Sequence, residues 1–395
     1  MAGRGWTSLA WPGLCAVLVG VGLGRFAYTP MIPALVSAGW LSPPEAAYVG
    51  AANLVGYLAG ALAAGLAAQT IGAGRAIRAA LFLTMASFAA SAAPVGFEWL
   101  LAWRFLAGAT GAVLMVLAPS RILIQVAPGE RGRAGGLVIT GVGLGVVLSG
   151  VLVGPLAERG PAFAWTALAL LALIATAASW PRWRDEPPAA PPGAAPARPA
   201  PVGLALLLLF AAYATDGAGF VPHTLFWVDF IARELQLGTG LGAFNWLLFG
   251  VGAAAGPLVA GTLADRLGIG RTVALGFAAK GAAVLAPALL PVPVALAVSS
   301  VIVGALTPGI TSLVAARLSE IVPPGRQARA WGRATLVFSV AQAFAAWAMS
   351  FAFVQLGAYR PLYLAGGLLE LLGAVLALLH LAVARSFTGR TRSSG

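Results

Sequence analysis

Charge is what this sequence has least of. Of its 395 residues only 9% are Asp, Glu, Lys or Arg, against 60% hydrophobic, where a soluble globular chain averages about 25% charged. Together with a mean hydropathy of +0.91, that excludes a soluble enzyme. The one cysteine, Cys15, allows no intramolecular disulfide and no cysteine-based metal site, and two histidines, His223 and His380, are too few for a histidine cluster. The single lysine, Lys280, leaves no phosphate-cradling G-x-x-x-x-G-K-[ST] loop, so any uphill work is expected to draw on an ion gradient and not on ATP. H-E-x-x-H and G-x-S-x-G are both missing, and the acids inside apolar runs are not spaced three or four residues apart. No enzymatic activity, no cofactor and no metal is expected.

What is present is arginine in the right places. The net charge of +12 would suit nucleic acid if the basic residues formed a patch, but they fall a few at a time in breaks between apolar runs. Nucleic acid is therefore not an expected partner, and the lipid bilayer is. Apolar runs between breaks predict helices over 8–37, 46–68, 76–93, 98–124, 134–156, 162–180, 202–232, 241–264, 271–290, 294–318, 331–356 and 361–384. An apolar helix spans a bilayer with roughly 20 residues, so the expectation is an all-α membrane protein with twelve transmembrane helices.

Residues 181–201, PRWRDEPPAAPPGAAPARPAP, combine charge with dense proline and cannot continue a helix. They divide the chain into a six-helix unit over 1–180, a linker, a second unit over 202–384 and a tail over 385–395. Eighteen basic residues lie at the N-terminus, the even-numbered breaks, the linker and the tail, against three, Arg159, Arg233 and Arg360, at the odd-numbered breaks. By the positive-inside rule both termini and the linker are expected in the cytoplasm.

The two units also share a pattern. A shift of 196 residues lays Val55-Gly56-x-x-Ala59-Gly60 on Val251-Gly252-x-x-Ala255-Gly256, and the same shift aligns Gly65 to Arg75 with Gly261 to Arg271, and Val126 to Gly136 with Val322 to Gly332. Parallel repeats of six spans are a transporter architecture, with the solute site between them near the midplane.

Several of these motifs resemble the major facilitator superfamily over essentially the whole chain. Gly261, Asp265, Arg266, Gly268 and Arg271 are similar to the family's G-x-x-x-D-R-x-G-R-[RK] loop between spans 8 and 9, with one extra residue before the last Arg; the resemblance implies a conformational-switch role for them. In the first-unit copy Gln69 and Thr70 replace the Asp and Arg. Leu100-x-x-x-Arg104-x-x-x-Gly108-x-x-Gly111-Ala112 resembles the span-4 motif whose Arg is associated with proton coupling, and Ala107 stands where Gln is usual. Gly150-Val-Leu-Val-Gly154-Pro155 resembles the opening of the antiporter motif, with Glu158 and Arg159 at its closing glycines, which tilts the direction toward export. The opening Gly22 to Pro30 is similar to the YbfB/YjiJ-like bacterial branch. This resemblance implies the superfamily fold, a bacterial inner membrane location, a monomer, and spans 1, 4, 7 and 10 lining the solute path.

Ionisable groups in hydrocarbon cost roughly 2.5–3.5 kcal/mol on insertion scales, so each one invites a functional hypothesis. On spans that the resemblance places along the path stand Arg25, Arg104 and Asp216. At 1.5 Å per residue, Arg25 lies ~25 Å and Asp216 ~21 Å from the start of its span. Arg25 and Arg104 are candidates for holding the solute, and Arg104 also for coupling. The bland readings are an Arg25–Asp216 ion pair and an Arg104 bound to carbonyls. Asp216 is the candidate proton carrier, the alternative being a fixed partner of Tyr213 or an arginine. Lys280 and Glu370 lie ~14 Å into spans 9 and 12 and are expected to form a structural ion pair, with Glu370 a second coupling candidate. Asp229, Arg233 and Glu234 suggest a solvated mouth, and His223 a hydrogen-bonded histidine. Tyr28, Tyr213, Asn245, Thr307, Thr311 and Gln342 are the uncharged solute-site candidates.

The reading is a secondary transporter that moves a small organic solute with protons by alternating access. Import of a small organic anion held by Arg25 and Arg104 is the alternative, and a transport-dead sensor or scaffold a third.

Overall fold

A computed structural model describes residues 5–127, 130–184, 203–323 and 326–392. Most of the linker, residues 185–202, lies outside the described residues, as do the Pro-Gly pairs at 128–129 and 324–325 of the repeat and residues 393–395 of the tail.

Twelve helical runs follow in order. The first unit has α1 (Trp6–Ser37), α2 (Pro43–Ile71), α3 (Ala73–Ser91), α4 (Phe97–Gln125), α5 (Arg131–Ala157) and α6 (Pro161–Ser179). The second has α7 (Leu204–Leu225, running on to Glu234), α8 (Gly238–Leu267), α9 (Ile269–Leu289), α10 (Pro293–Ile321), α11 (Gln327–Leu356) and α12 (Arg360–Arg392). Eleven are long and apolar enough to cross a membrane. The exception, α3, carries Arg75 and Arg78 in its first two turns, and those two charges dilute an otherwise apolar 19-residue helix. The last helix also runs beyond the expected end of its span: residues 385–392, expected as tail, continue α12, since no proline interrupts them.

Local signals explain the boundaries. Ser42 caps α2 with a capping box, its Oγ accepting from Glu45 N at 3.4 Å while Glu45 Oε2 accepts from Ser42 N at 2.7 Å. Gly72 and Gly268, related by the 196-residue shift, end α2 and α8 with φ of 89° and 85°, a left-handed conformation open to glycine at little cost.

The repeat seen in sequence is a repeat of packing. A Cβ on Gly60 would overlap the carbonyl of Ala109, and one on Gly256 would overlap that of Ala305, the residue 196 positions further on. Gly108 against Asn53 and Gly304 against Phe249 repeat the relation. So α2 on α4 and α8 on α10 are the same small-residue seam made twice, the way helices approach closely where lipid offers no hydrophobic drive. The lead helix of each unit is broken at the same register. In α1 a π turn, Leu18–Leu23, runs into an open stretch at 24–27, and α7 breaks at Phe220 and again at Phe226. The break in α1 lies just ahead of Pro30 and Pro33, residues that loosen a helix and free its carbonyls; those in α7 were not expected, since the apolar run is continuous there.

The units meet along α5 with α8 and α2 with α11. Gly143 backs onto Ala254 at mid-depth and Gly154 onto Ala243 further along. Near the end where α1 arrives and α2 departs, Ser350 Oγ donates to Ala47 O at 3.1 Å, Tyr48 packs on Trp347 with ring centroids 5.0 Å apart, and Thr29 Oγ1 donates to Thr224 O. These contacts tie the two units together at the far end, opposite the start of α1, beside a cavity of about 350 Å³ lined by Pro43, Pro44, Phe353 and Tyr359.

Candidate functional site

The break in α1 is held by groups the sequence singled out. Opening the helix after Leu23 frees the carbonyl of Gly24, which accepts from Arg104 Nη2 at 2.5 Å and Asn53 Nδ2 at 3.2 Å. Asn53 Nδ2 also reaches Arg104 O at 2.9 Å. The Arg104 side chain is fully buried, its guanidinium 5.3 Å from the Tyr28 ring centroid and 5.6 Å from that of Trp165. Tyr28 in turn donates its hydroxyl to Ala46 O at 2.8 Å. Arg104 and Tyr28, both expected on the solute path, are thus brought together as a bracket on broken backbone. Pro30 and Pro33, which offer no N–H, stand in the short helix after the break.

Arg25 sits in the break itself. Its guanidinium carbon lies 5.0, 5.5 and 5.9 Å from the ring centroids of Phe26, Tyr57 and Phe220, and its buried Nε and Nη2 have no hydrogen-bond partner. The alternative of an Arg25–Asp216 ion pair does not form. A cavity of about 10 Å³ lined by Arg25, Tyr28, Asn53 and Thr224 lies beside it, room for one water.

Asp216 pairs instead with Lys280. The Lys280 ammonium is 2.5 Å from Asp216 Oδ1 and 3.5 Å from Glu370 Oε1, with all three side chains fully buried. Asp216 Oδ2 and both Glu370 oxygens lack a hydrogen-bond partner. Three helices, α7, α9 and α12, supply one group each, and α12 comes close because Gly219 leaves the space: a Cβ there would meet Glu370 Cγ at 2.6 Å. The Phe220 ring covers the cluster, its centroid 4.1 Å from Lys280 Nζ, and that same ring is the one near Arg25. One aromatic side chain at the break of α7 therefore touches both the free cation and the buried ion cluster.

The uncharged candidates separate. Tyr213 donates its hydroxyl to Thr311 Oγ1 at 3.2 Å, and Thr307 and Thr311 also donate to carbonyls of their own helix at 2.7 and 3.1 Å. Asn245 is tied up inside the second unit, accepting from Ser300 Oγ at 3.0 Å and donating to Leu241 O at 2.9 Å. Gln342 is buried with Nε2 unpartnered. His223 is a buried, hydrogen-bonded histidine, with Nε2 2.8 Å from Ser299 Oγ and the ring stacked on Trp227. In the loop motif Gly261, Asp265, Arg266, Gly268 and Arg271 are all exposed, with Gly268 making the turn.

At the far end the expectation of a solvated mouth holds for Arg233 and Glu234, which line a cavity of about 350 Å³, and is corrected for Asp229. Asp229 is fully buried and accepts from Arg233 and from the Tyr359 hydroxyl, while the Glu234 carboxylate accepts the backbone N–H of Tyr359 and, at 3.2 Å, that of Arg360. Burial and the adjacent Asp229 carboxylate push the Tyr359 phenol above its ordinary range. The latch fastens the end of α7 to the start of α12.

Sequence reasoning missed the Asp216–Lys280 contact and the place of Phe220. Helix depth carried the signal. Expected starts at 202 and 271 put the two groups ~21 and ~14 Å deep, whereas the observed starts at Leu204 and Ile269 give ~18 and ~16 Å at 1.5 Å per residue. Two small boundary errors of opposite sign hid a match in level.

Two matched six-helix units, tied together at one end, with ionisable groups buried at mid-depth, define a membrane transporter of the major facilitator kind. The profile of the family described as "Uncharacterised MFS-type transporter YbfB" matches residues 17–378, and the chain belongs to that family. No curated protein matches it. Among solved structures it is similar to a D-xylose-proton symporter, with 15% identity, 94% of this chain and 96% of that one covered, and a TM-score of 0.72. It is also similar to the xylose transporter XylE from E. coli in a partially occluded inward-open conformation, with 14% identity, 94% and 98% coverage and a TM-score of 0.72. The inward-open form of XylE gives 15% identity, 94% and 95% coverage and the same TM-score, 0.72. At these identities the likeness is one of fold. The chain is a multi-pass secondary transporter and not an enzyme.

Proposed function

We propose that this transporter moves a small organic solute together with protons, and that the Asp216–Lys280–Glu370 cluster is the proton site. The observation that carries the reading is the charge count in that cluster. Two carboxylates and one ammonium, all fully buried, sum to one negative charge, and an unbalanced charge in a low dielectric is expensive. The cluster is neutral when the two carboxylates share one proton. Rocking of the units changes how the cluster meets water, and with it whether that proton stays or leaves. Phe220 links the event to the solute side, because its ring contacts both Lys280 and Arg25.

Arg25 favours an anionic solute: its free donors and planar fork suit a carboxylate. Arg104, whose Nη2 is committed to Gly24, positions the broken helix around the site. The Gly150-x-x-x-Gly154 seam supports the second reading, export, since it faces α8 across the interface between units. In this reading the exposed 261–271 loop is the conformational switch and the units over 1–180 and 202–384 are the rocking bodies. The chain works as a monomer in a bacterial inner membrane, with the arginine-rich ends cytoplasmic.

The test is solute-driven proton movement in proteoliposomes holding a trapped pH dye, with a panel of organic solutes outside and protein-free vesicles as control. A transported solute is expected to move protons with the parent and not with Asp216→Asn, while counterflow of the same solute persists. Unchanged proton movement in Asp216→Asn, Glu370→Gln and the double variant removes the cluster from coupling. The sign of the dye response separates symport from antiport.

A further inference from the structure

We propose that the solute is an organic anion with a flat, largely apolar body, an aromatic or heteroaromatic carboxylate, whose acid group docks on Arg25 while its ring lies along Phe220, Phe338 and Tyr213. The proposal rests on the reading of the chain as a solute carrier and goes beyond it by naming the chemistry of the cargo.

At the break in α1, Arg104 has a carbonyl partner for Nη2 at 2.5 Å while its Nε and Nη1 have none, and the half-buried Arg25 has none for Nε or Nη2. Arg25, whose guanidinium is not anchored to backbone, is the one whose fork can turn to a carboxylate. Lys280 is held between two carboxylates and is not available to an acid group of the solute.

The walls then select the body. Three ring faces surround the Arg25 guanidinium at 5.0–5.9 Å. From Phe220 a row of rings leads away along α7 and α11. Phe220 to Phe338 is 6.0 Å between centroids, Phe338 to Tyr213 is 4.7 Å, and Tyr213 to Trp331 is 6.1 Å. Successive ring planes are inclined by only 31°, 30° and 29°. Phe220 and Tyr213 are buried and Phe338 is half-buried, so a solute ring enters by parting them as the units rock; it then meets apolar faces that prefer offset or tilted ring contact, whereas the hydroxyls of a polyhydroxylated body would be buried against them without partners, at a cost.

A small number of polar atoms interrupt the row on the same side of α11. Thr335 Oγ1, Ser339 Oγ and Gln342 Nε2 are buried without a hydrogen-bond partner, and the spacings of four and three residues put them on one helix face with Phe338 beside them. An unmade hydrogen bond of this kind is a standing cost that a ligand group can relieve. A hydroxyl or ring nitrogen on the solute is the group that fits. Their scarcity separates this wall from a sugar site, which has to answer every hydroxyl of its ligand.

The experiment is isothermal titration of the intact, detergent-purified protein with 4-hydroxybenzoate, benzoate, lactate, succinate, gluconate and benzyl alcohol. The two aromatic acids are expected to bind at least tenfold more tightly than the three aliphatic acids and the alcohol. Arg25→Gln is expected to erase the advantage of benzoate over benzyl alcohol, and Phe338→Leu to shrink the gap between benzoate and lactate at least tenfold. Equal or tighter binding of lactate, succinate, gluconate or benzyl alcohol overturns the proposal, and so does the absence of binding by either aromatic acid. Should a variant fail to fold, the ranking in the parent protein decides. No gradient is present in this assay: a protein that binds aromatic acids but moves no protons keeps the solute class and loses the coupling, and one that moves protons with gluconate does the reverse.

Discussion

Arg104 and Lys280 are both fully buried cations, one in each six-helix unit, and they are balanced in opposite ways. Arg104 leans on a backbone carbonyl freed by the break in α1 and on two ring faces. Lys280 stands between two carboxylates from different helices. Carbonyls and rings do not titrate, so the first unit holds a constant positive charge that braces the scaffold. Carboxylates do titrate, so in the proposed function the second holds a cluster whose charge changes by one proton. A repeat that duplicated the helix seams almost residue for residue did not duplicate this chemistry, and the division of labour between the units follows from the difference.

Breaking that contrast gives the following outcomes, from the largest down. Lys280→Met strands two carboxylates and is expected to destabilise the protein by about 3–5 kcal/mol, read as thermal unfolding in detergent. Adding Asp216→Asn should return part of that loss, a coupling of about 0.5–3 kcal/mol in a double-mutant cycle, and simple additivity would mean that the two groups act independently. Arg104→Met removes a hydrogen bond from a charged donor and is expected to cost about 1.5–3 kcal/mol while the pH dependence of transport keeps its shape. A changed pH profile in that variant would put proton chemistry in the first unit as well. Asp216→Asn should lower proton-driven accumulation at least tenfold, about 1.4 kcal/mol, with counterflow intact. Smallest, Ser350→Ala removes the bond to Ala47 that crosses the far end and should weaken the tie between the units there by about 1 kcal/mol, seen as a wider distance distribution between spin labels placed on α2 and α11.

Much of the architecture was legible in residue order. Twelve apolar runs, the shift of 196 residues and the proline-dense divider led to the twelve helices, and the shift reappears in the contacts of Gly60 and Gly256. Pro30 and Pro33 pointed to a loosened α1 with freed carbonyls, whereas pattern reading passed over the break at Phe220, because it lies inside unbroken apolar sequence. The site was legible in its parts and not in its pairings. Asp216, Glu370 and Lys280 each stood out as a charge in hydrocarbon, and an Arg25 partner for Asp216 was as reasonable on sequence as the lysine it has. Phe220 and Phe338 carried no signal at all, one aromatic among many in a chain that is 9% aromatic.

By itself, then, the order of residues determined that this chain lies in a membrane, that it is built twice over, and which few side chains carry charge into the hydrocarbon. Those are properties of single segments, read from length, composition and period. Which charges meet was decided only when α7, α9 and α12 packed together, Gly219 leaving the space for Glu370 to reach Lys280 and α1 opening to leave Arg25 alone among rings. The reason is physical: the depth of a residue along its own helix is set locally, but its azimuth and its neighbours are set by helices far away in the chain. The choice between a fixed charge and a titrating one rests on those neighbours.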